Sequence, residues 1–203
     1  MSKWSEIYRK QLSKVDSLDI FIADKLAYKK TLIDTIKKYS LINGKILEVG
    51  CGSGITSMFL GQSGYQVIGV DSDPDMVELA TSIATQKKSG ASFKIDDIRT
   101  LGTINGHFNV IFSNGVMEHF SDNEIVSVVN HHLSISNYVI VCVPSDYFSD
   151  DQKIYGDERF MSAKQWHALL SKTTGLIVEK FSFDYDMNVI GKPQFIGFVL
   201  SSL

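Results

Sequence analysis

Three glycines at alternate positions carry the clearest chemical signal in the sequence. Gly50, Gly52 and Gly54 directly follow the apolar, β-rich run at 45–49 and precede a segment of helical period. Without a Cβ atom the backbone can turn sharply and approach a ligand closely. A strand, a glycine loop and a helix in this order bind nucleotide cofactors in parallel sheets. The loop therefore predicts a cofactor site; the alternative is a strand–helix turn without a ligand.

Two carboxylates lie where they could contact such a cofactor. Glu48 precedes the first glycine by two residues, and Asp71 follows it by 21 residues, at the end of the next apolar run. Glu48 suits a cationic amino acid group better than a pyrophosphate, and the G-x-G-x-G spacing departs from the G-x-G-x-x-G of dinucleotide folds. A nicotinamide oxidoreductase is therefore disfavoured. Asp71 could bind both hydroxyls of a ribose; the alternative is a helix cap, a role that Asp73 already fills.

The elements that must position these residues alternate between strand and helix from residue 45 onwards. The patterns predict strands at 45–49, 66–70, 92–95, 108–112, 138–143, about 176–184 and 194–201. Helices are predicted from Ser53 to about 61–64, from Asp73 and Pro74 to 87–88, at 122–134 and at 162–172. Only a turn separates the last two strands, which predicts an antiparallel pair. This alternation is typical of a mainly parallel sheet covered on both faces.

Polar residues end four of the predicted strands: Glu48, Asp71, Asp97 and Asn114. In a parallel sheet the carboxyl ends meet at one edge, and ligands bind there. We therefore expect these four side chains to surround one site.

The first 44 residues form one or two helices in this interpretation, with a break near 16–19. They would precede the domain at 45–203 as an extension or lid. One apolar set falls at helical spacing and suits either a lid over the cofactor or an amphipathic helix packed on the core: Trp4, Ile7, Tyr8 and Leu12.

Composition and charge exclude several classes of protein. The 203 residues favour a single domain, and the net charge of −3 with scattered Lys and Arg offers no broad surface for nucleic acid. No signal peptide or membrane-spanning apolar run is visible, so we expect a soluble, cytoplasmic protein without a membrane partner. Cys51 and Cys142 match no metal or redox spacing and are predicted to be small buried groups.

Two segments together resemble the class I S-adenosylmethionine-dependent methyltransferases. Ile46-Leu47-Glu48-Val49-Gly50-Cys51-Gly52-Ser53-Gly54, with Val70-Asp71 downstream, looks like their first two motifs, and 108–120 is similar to their segment around the fourth strand. The resemblance covers about residues 40–145. It implies a three-layer α/β, Rossmann-like fold with seven strands in the order 3-2-1-4-5-7-6 and an antiparallel seventh strand.

The resemblance also implies S-adenosylmethionine as cofactor and S-adenosylhomocysteine as product. The methionine part would lie on the glycine loop, the ribose at Asp71 and the adenine amino group at Asp97, with Asp96 as the alternative or as a cap. Ser113 and Asn114 would lie near the sulfonium. The full predicted cofactor set is Glu48, Gly50, Cys51, Gly52, Gly54, Asp71, Ser72, Asp97, Ile98, Ser113 and Asn114.

His119 is the candidate catalytic base, since an alcohol or phenol acceptor must lose a proton and imidazole titrates near neutrality. The alternative is that the Glu118–His119 pair only shapes its loop while alignment supplies most of the rate. The segment 147–161 would border the acceptor pocket, or else be a surface loop leading into a helix. The predicted substrate-binding set is Tyr8, Glu118, His119, Tyr155 and Arg159, and Asp157 and Glu158 are further candidates.

The remaining histidines match no metal site. His131 and His132 fall on a predicted surface helix and are expected to be solvated, His107 lies in a turn and His167 in a late helix. None has the spacing or carboxylate company of a metal ligand, so no metal is predicted.

The sequence thus predicts methyl transfer to O, N or C of a small-molecule acceptor by a monomer or homodimer. Nucleic acid is disfavoured because Asn114 is followed by Gly115 and Val116, whereas similar base-modifying enzymes carry two prolines and an aromatic residue there. The alternatives are a protein or peptide methyltransferase, or a cofactor-binding module without turnover.

Overall fold

The computed structural model describes residues 3–184 and 194–202. In chain order the elements are α1 (Lys3–Leu12), α2 (Leu18–Ala27), α3 (Lys30–Tyr39), β1 (Lys45–Val49), α4 (Ile55–Gln62), β2 (Gln66–Asp71), α5 (Pro74–Gln86), β3 (Ser92–Ile95), β4 (Phe108–Asn114), α6 (Asp122–Ser134), β5 (Ser136–Pro144), α7 (Ala163–Leu170), β6 (Leu176–Asp184) and β7 (Gln194–Ser201). Within the described ranges, each helix lacks the length and apolar character needed to cross a bilayer.

The strands form one sheet in the order β3-β2-β1-β4-β5-β7-β6. Strands β1 to β5 are parallel, whereas β7 pairs antiparallel with both β5 and β6. The predicted strand order and the antiparallel last pair are confirmed. The turn predicted between β6 and β7 lies outside the described residues.

Helices cover both faces of the sheet. Successive residues of a strand point to opposite faces, and β1 follows this rule. Ile46 lies in a core with Leu32 of α3, whereas Leu47 lies in a core with Ile125 of α6 and Trp166 of α7. The central strands are therefore buried on both sides, which is why their sequences are continuously apolar.

The segment before β1 forms three helices, so the prediction of one or two helices is wrong. The predicted break near 16–19 is present, and Ser17 caps α2 by accepting a hydrogen bond from the backbone of Ile20 at 3.2 Å. The second break, at Tyr28 and Lys29, has neither glycine nor proline to announce it. The third helix, α3, packs on the sheet as a layer helix, while α1 and α2 lie closer to the glycine loop and to helices α4 and α5.

The N-cap of the helix after the glycine loop lies one residue later than the predicted cap, Ser53. Gly54, with φ of +66°, is the N-cap of α4, and Ser53 is buried in the preceding turn. A left-handed backbone at this cap favours glycine over serine. The start of α5 is confirmed: Asp73 accepts a hydrogen bond from the backbone of Asp75 at 3.0 Å, with Pro74 at the first helical position.

Candidate functional site

A cavity of about 850 Å³ opens at the carboxyl ends of β1, β2 and β4. It is bounded on other sides by α1, by the segment after β3 and by the segment 145–161. Its volume lies in the upper part of the range usual for ligand pockets, roughly 300–1,000 Å³. The cavity therefore has room for a nucleotide-sized cofactor and a second small molecule.

The glycine loop forms one wall of this cavity. Side chains at its glycines would collide with neighbouring residues. Gly50 has φ of +67° and Gly52 has φ of +52°. A Cβ at Gly50 would lie 2.6 Å from Val116, and one at Gly52 would lie 3.2 Å from the hydroxyl of Tyr8. Both positions thus require the left-handed backbone and the absence of a side chain.

Asp71 ties the end of β2 to the glycine loop. Its Oδ2 accepts a hydrogen bond from the backbone of Gly52 at 2.8 Å, and its Oδ1 accepts one from Asp73 at 3.0 Å. Burial raises the pKa of this carboxyl, against the lowering effect of those backbone donors. Each carboxylate oxygen keeps a further lone pair, so Asp71 can hold the loop and still accept from a ligand hydroxyl.

Glu48 lies beneath the loop rather than beside it. Its Oε2 accepts hydrogen bonds from the backbone nitrogen of Ser57 at 3.1 Å and from the Ser57 hydroxyl at 2.6 Å. Burial raises the pKa of Glu48 to about 7, although the positive charge of Lys29 and the bonds from Ser57 oppose the shift. A carboxyl poised in this way gains charge when a cation binds nearby.

Two lysines of the N-terminal segment reach the same end of the cavity, and the sequence interpretation missed them. Lys29 Nζ donates to Thr56 Oγ1 at 3.2 Å. Lys25 Nζ lies 5.5 Å from the ring centres of Tyr8 and Phe21. Burial, and then the charge of Lys29, lowers the pKa of Lys25 to about 8. These cations can bind a ligand carboxylate at the first turn of α4, where the helix dipole also favours an anion.

The two acidic residues after β3 have different roles. Asp96 is buried, and its oxygens accept from the backbones of Asp97, Gly102 and Thr103 and from the Thr103 hydroxyl. Its bonds are thus those of a loop cap. Asp97 lines the cavity beside Ile98. The Asp97 carboxylate also pairs with the side chain of Arg99, with 2.6 Å between Oδ2 and Nη2, and that bond lowers its pKa.

Three polar atoms that line the cavity lie buried without a hydrogen-bond partner among the described residues: Gln11 Oε1, Asn114 Oδ1 and Glu118 Oε2. Buried polar atoms are nearly always paired in folded proteins, so these three groups are candidates for the polar contacts of a bound ligand. Glu118 is only 3% exposed, and burial raises the pKa of its carboxyl to about 8. Together with the glycine wall, these atoms fit a ligand that brings several donors.

The far end of the cavity is built from aromatic side chains around His119. His119 Nδ1 lies 2.6 Å from Asp157 Oδ1. Trp4 of α1 stacks on Tyr155, with ring centres 5.5 Å apart, and both rings meet His119 edge-on. The segment after β5 thus borders the cavity, as one of the two sequence interpretations expected, and helix α1 covers both ends.

The backbone around Tyr155 is fixed by Glu158. The Glu158 carboxylate accepts from the backbone nitrogens of Ile154, Tyr155 and Gly156 at 2.9, 2.6 and 2.7 Å. Burial alone would raise the pKa of Glu158, but the backbone donors hold it below its usual value. Glu158 therefore orders this loop with its carboxylate.

Most of the predicted site residues line the cavity: Tyr8, Glu48, Gly50, Cys51, Gly52, Asp71, Ser72, Asp97, Ile98, Asn114, Glu118, His119 and Tyr155. Three others do not. Gly54 packs against Phe93 and Ala80, Ser113 is buried within β4, and Arg159 turns away to donate to Asp122 at 2.7 Å.

The other histidines and the cysteines lie outside this arrangement, except Cys51. The prediction that His132 is solvated is wrong: it is 0% exposed, its Nε2 pairs with the carbonyl of Ile98 at 2.8 Å, and burial lowers its pKa to about 4. Cys51 and Cys142 are buried thiols, as predicted. Across residues 3–184 and 194–202, no three metal-ligating side chains cluster.

Part of the chain is similar to known methyltransferases. Residues 46–135 match a family model described as a methyltransferase domain. The 2-heptyl-1-hydroxyquinolin-4(1H)-one methyltransferase of Mycobacteroides abscessus is 23% identical over 115 residues, which cover 54% of this chain and 51% of that protein. The ubiquinone biosynthesis O-methyltransferase of Coxiella burnetii is 31% identical over 88 residues, 43% of this chain and 38% of that protein. The chain thus spans about half or less of the length of these curated relatives.

The fold is also that of a solved structure. An S-adenosylmethionine-dependent methyltransferase from Clostridium acetobutylicum aligns with a TM-score of 0.70 at 16% identity, covering 96% of this chain and 98% of that one. At this identity the likeness concerns the fold alone. The matched model spans the glycine loop, Asp71 and Asn114, and the strand order is the one expected for that class. Residues 46–135 thus match a methyltransferase domain, and the sheet as a whole has the Rossmann-like fold of that solved methyltransferase.

Proposed function

We propose that this chain binds S-adenosylmethionine in the described cavity and catalyses transfer of its methyl group to a small-molecule acceptor. The observation that carries the proposal is the bond between Asp71 and the backbone of Gly52, which sets a ribose-binding carboxylate beside a loop without side chains. The nucleoside part of the cofactor would bind on the Asp71 side of this bond, and its amino acid part would bind on the side of the glycine loop.

The residues present fit each part of the cofactor. Asp71 would accept from the ribose hydroxyls, and Asp97 from the adenine amino group beside Ile98. Lys29 and Lys25 would bind the carboxylate of the methionine part. The ammonium group would meet the unpaired Asn114 oxygen near buried Glu48. When bound, S-adenosylmethionine supplies a methyl group that its sulfonium makes electrophilic.

The chain would contribute mainly the alignment of the two reactants. Trp4 and Tyr8 of α1 cover the acceptor end and the glycine loop. Holding two reactants in line removes much of the entropic cost of their encounter.

A small molecule suits this cavity better than a protein side chain, because α1 and the segment 145–161 both line it and meet where Trp4 stacks on Tyr155. The quinolone and ubiquinone-related names of the two relatives agree with an acceptor of this size. A protein or peptide acceptor, or a module that binds cofactor without turnover, remains the alternative. A cytoplasmic monomer or homodimer that acts on neither nucleic acid nor membrane is the form that we propose.

Isothermal titration calorimetry with S-adenosylmethionine, S-adenosylhomocysteine and NAD tests the cofactor directly. We expect binding of the first two in the micromolar range and none comparable for NAD. Tight binding of NAD alone would overturn the proposal. Labelled methyl transfer to a metabolite extract, but not to an extract of macromolecules, separates the small-molecule acceptor from its alternatives.

A further inference from the structure

The imidazole of His119 is held from several sides at the acceptor end of the cavity. Trp4 meets it edge-on from α1 at 6.0 Å between ring centres, and Tyr155 meets it edge-on at 5.9 Å. Asp157 binds its Nδ1 at 2.6 Å. Only 17% of the His119 side chain is exposed. A ring in this setting has a fixed orientation.

The bond to Asp157 decides which nitrogen is available. An ionised carboxylate only accepts hydrogen bonds, so the neutral imidazole must carry its proton on Nδ1. Nε2 then bears the lone pair, and it has no hydrogen-bond partner within the described residues. A carboxylate that fixes the tautomer of a histidine in this way is the arrangement that prepares a general base.

The charges around His119 select against an anionic acceptor. Asp157 and Glu158 line this end of the cavity as carboxylates, whereas burial keeps the neighbouring Glu118 carboxyl protonated near neutral pH by raising its pKa to about 8. Of the cations that the structure places on the cavity wall, Lys25 and Lys29 belong to the glycine-loop end, and Arg99 is paired with Asp97. An acceptor carboxylate would therefore lie beside Asp157 and Glu158, and Lys3, the cation over the Tyr155 ring, already donates to the Tyr155 carbonyl.

The rest of this end is apolar and mostly aromatic. Its wall includes Phe120, Pro144, Phe148, Ile154, Phe160 and Phe195. Phe148 lies 5.4 Å from Phe160 and 5.8 Å from Phe195 between ring centres. Aromatic walls favour flat aromatic ligands through stacked and edge-on contacts, beyond the area that is buried.

We infer that the acceptor is a neutral aromatic hydroxyl compound, that His119 Nε2 removes its hydroxyl proton, and that Asp157 is the positioning residue of this base. The inference deepens the proposed function and rests on it. In the proton transfer the O–H bond breaks, its electron pair stays on the oxygen, and the proton forms an N–H bond at Nε2. An amine acceptor would need no such base once it arrives deprotonated.

Nitrogen NMR of ¹⁵N-histidine-labelled protein tests the base without relying on turnover. We expect His119 in the Nδ1–H tautomer, both without ligand and in the presence of S-adenosylhomocysteine. Asp157→Ala should convert its signals to a mixture of tautomers. The matched control Asp150→Ala removes an exposed acid of the same segment, paired with Lys153, and should leave the His119 signals unchanged. An Nε2–H tautomer in the parent protein would overturn the inference.

Three probes with the same ring skeleton test the acceptor class. Calorimetry on protein saturated with S-adenosylhomocysteine compares 1-naphthol with 1-naphthoate and with decahydro-1-naphthol, the saturated alcohol. We expect 1-naphthol to bind at least about tenfold more tightly than either, and to move the ¹⁵N signal of His119 Nε2. Equal or tighter binding of the carboxylate or of the saturated alcohol, or no binding of 1-naphthol, overturns the inference. Failure of S-adenosylhomocysteine to bind in the same titrations would instead overturn the proposed function.

Discussion

The carboxylate of Asp71 and the backbone nitrogen of Gly52 lie 2.8 Å apart, so the end of one strand holds the loop that follows its neighbour. Asp71→Ala removes this tie together with the ribose acceptor. We expect affinity for S-adenosylmethionine to fall by roughly 1.5–3 kcal/mol, the scale of hydrogen bonds to a charged group. Calorimetry measures the loss, and Asp34→Ala, which removes an exposed acid of α3 outside the cavity lining, is the control. Unchanged affinity in folded Asp71→Ala would remove Asp71 from the site.

Gly54 tests the packing behind the loop rather than the ligand site. Gly54→Ala would force a side chain onto a backbone with φ of +66° and place its Cβ 2.5 Å from Phe93 and 2.7 Å from Ala80. We expect a loss of about 1–3 kcal/mol in the free energy of unfolding, from strain and overpacking. Gly90→Ala, which meets nothing within 4 Å, should stay within about 0.5 kcal/mol of the parent. Urea denaturation compares them, and equal stability of the two variants would contradict the packing argument.

Glu118 should make the stability of the protein depend on pH. The unfolded carboxyl ionises near pH 4.5, whereas burial raises the pKa of the folded group to about 8. Between these values the folded state binds more protons than the unfolded state, so rising pH destabilises the parent. Glu118→Gln cannot titrate, and its stability relative to the parent should therefore increase from pH 5 to 8, on the order of 3 kcal/mol at about 1.4 kcal/mol per pKa unit.

Thermal melts across pH 5–9 measure this difference, after the constant offset between Glu118→Gln and the parent is subtracted. Glu78→Gln, at an exposed position of α5, is the matched control. Parallel stability curves for Glu118→Gln and the parent would show that the carboxyl is not held neutral in the folded state.

We expect Lys29 to contact the carboxylate of the cofactor and no other part of the cofactor. Lys29→Met is expected to weaken binding of S-adenosylhomocysteine by about tenfold or more, since hydrogen bonds between charged groups contribute roughly 1.5–3 kcal/mol. Methylthioadenosine, which has no carboxylate, should bind the variant and the parent alike. Lys30→Met, at an exposed residue paired with Asp34, is the control. Equal losses for both ligands would indicate that Lys29 supports the loop instead.

His119→Ala should leave affinity for S-adenosylmethionine nearly unchanged and lower kcat for a phenolic acceptor by about two to four orders of magnitude. The deficit should shrink at high pH, where the acceptor loses its proton unaided. His107→Ala removes a histidine that pairs with Asn137 at the far end of β5 and serves as the control. Activity within about tenfold of the parent at neutral pH would favour alignment as the main source of rate.

Local patterns were enough to predict most of the helices and strands, whereas the order of the strands was implied by the resemblance to methyltransferases. The helix at 122–134 and the strands at 92–95, 176–184 and 194–201 have the bounds read from periodicity and flanking residues. Asp73 and Pro74 marked a helix start correctly because both act within one turn. The prediction of Ser53 as the N-cap of α4 was wrong. A serine hydroxyl is a favourable cap, but the cap position has a left-handed backbone, which favours Gly54.

Contacts between distant segments were not visible in the sequence. Lys25 and Lys29 reach the glycine loop only because α2 packs beside α4. His119 acquires its partner from a residue 38 positions later, in a loop ordered by Glu158. His132 was expected in solvent, yet the sheet-facing side of α6 buries it against the carbonyl of Ile98. Periodicity in the sequence predicts which face of a helix or strand is buried. Which side chains of different helices and strands come into contact is decided only by their packing in the folded protein.

Helix α1 touches both ends of the cavity at once. Tyr8 lies over Gly52, Trp4 stacks on Tyr155, and Ser5 donates to Asp75 at 3.2 Å. A cofactor on the glycine loop and an acceptor beside His119 would both contact this helix, so we expect each ligand to tighten the binding of the other by the same factor.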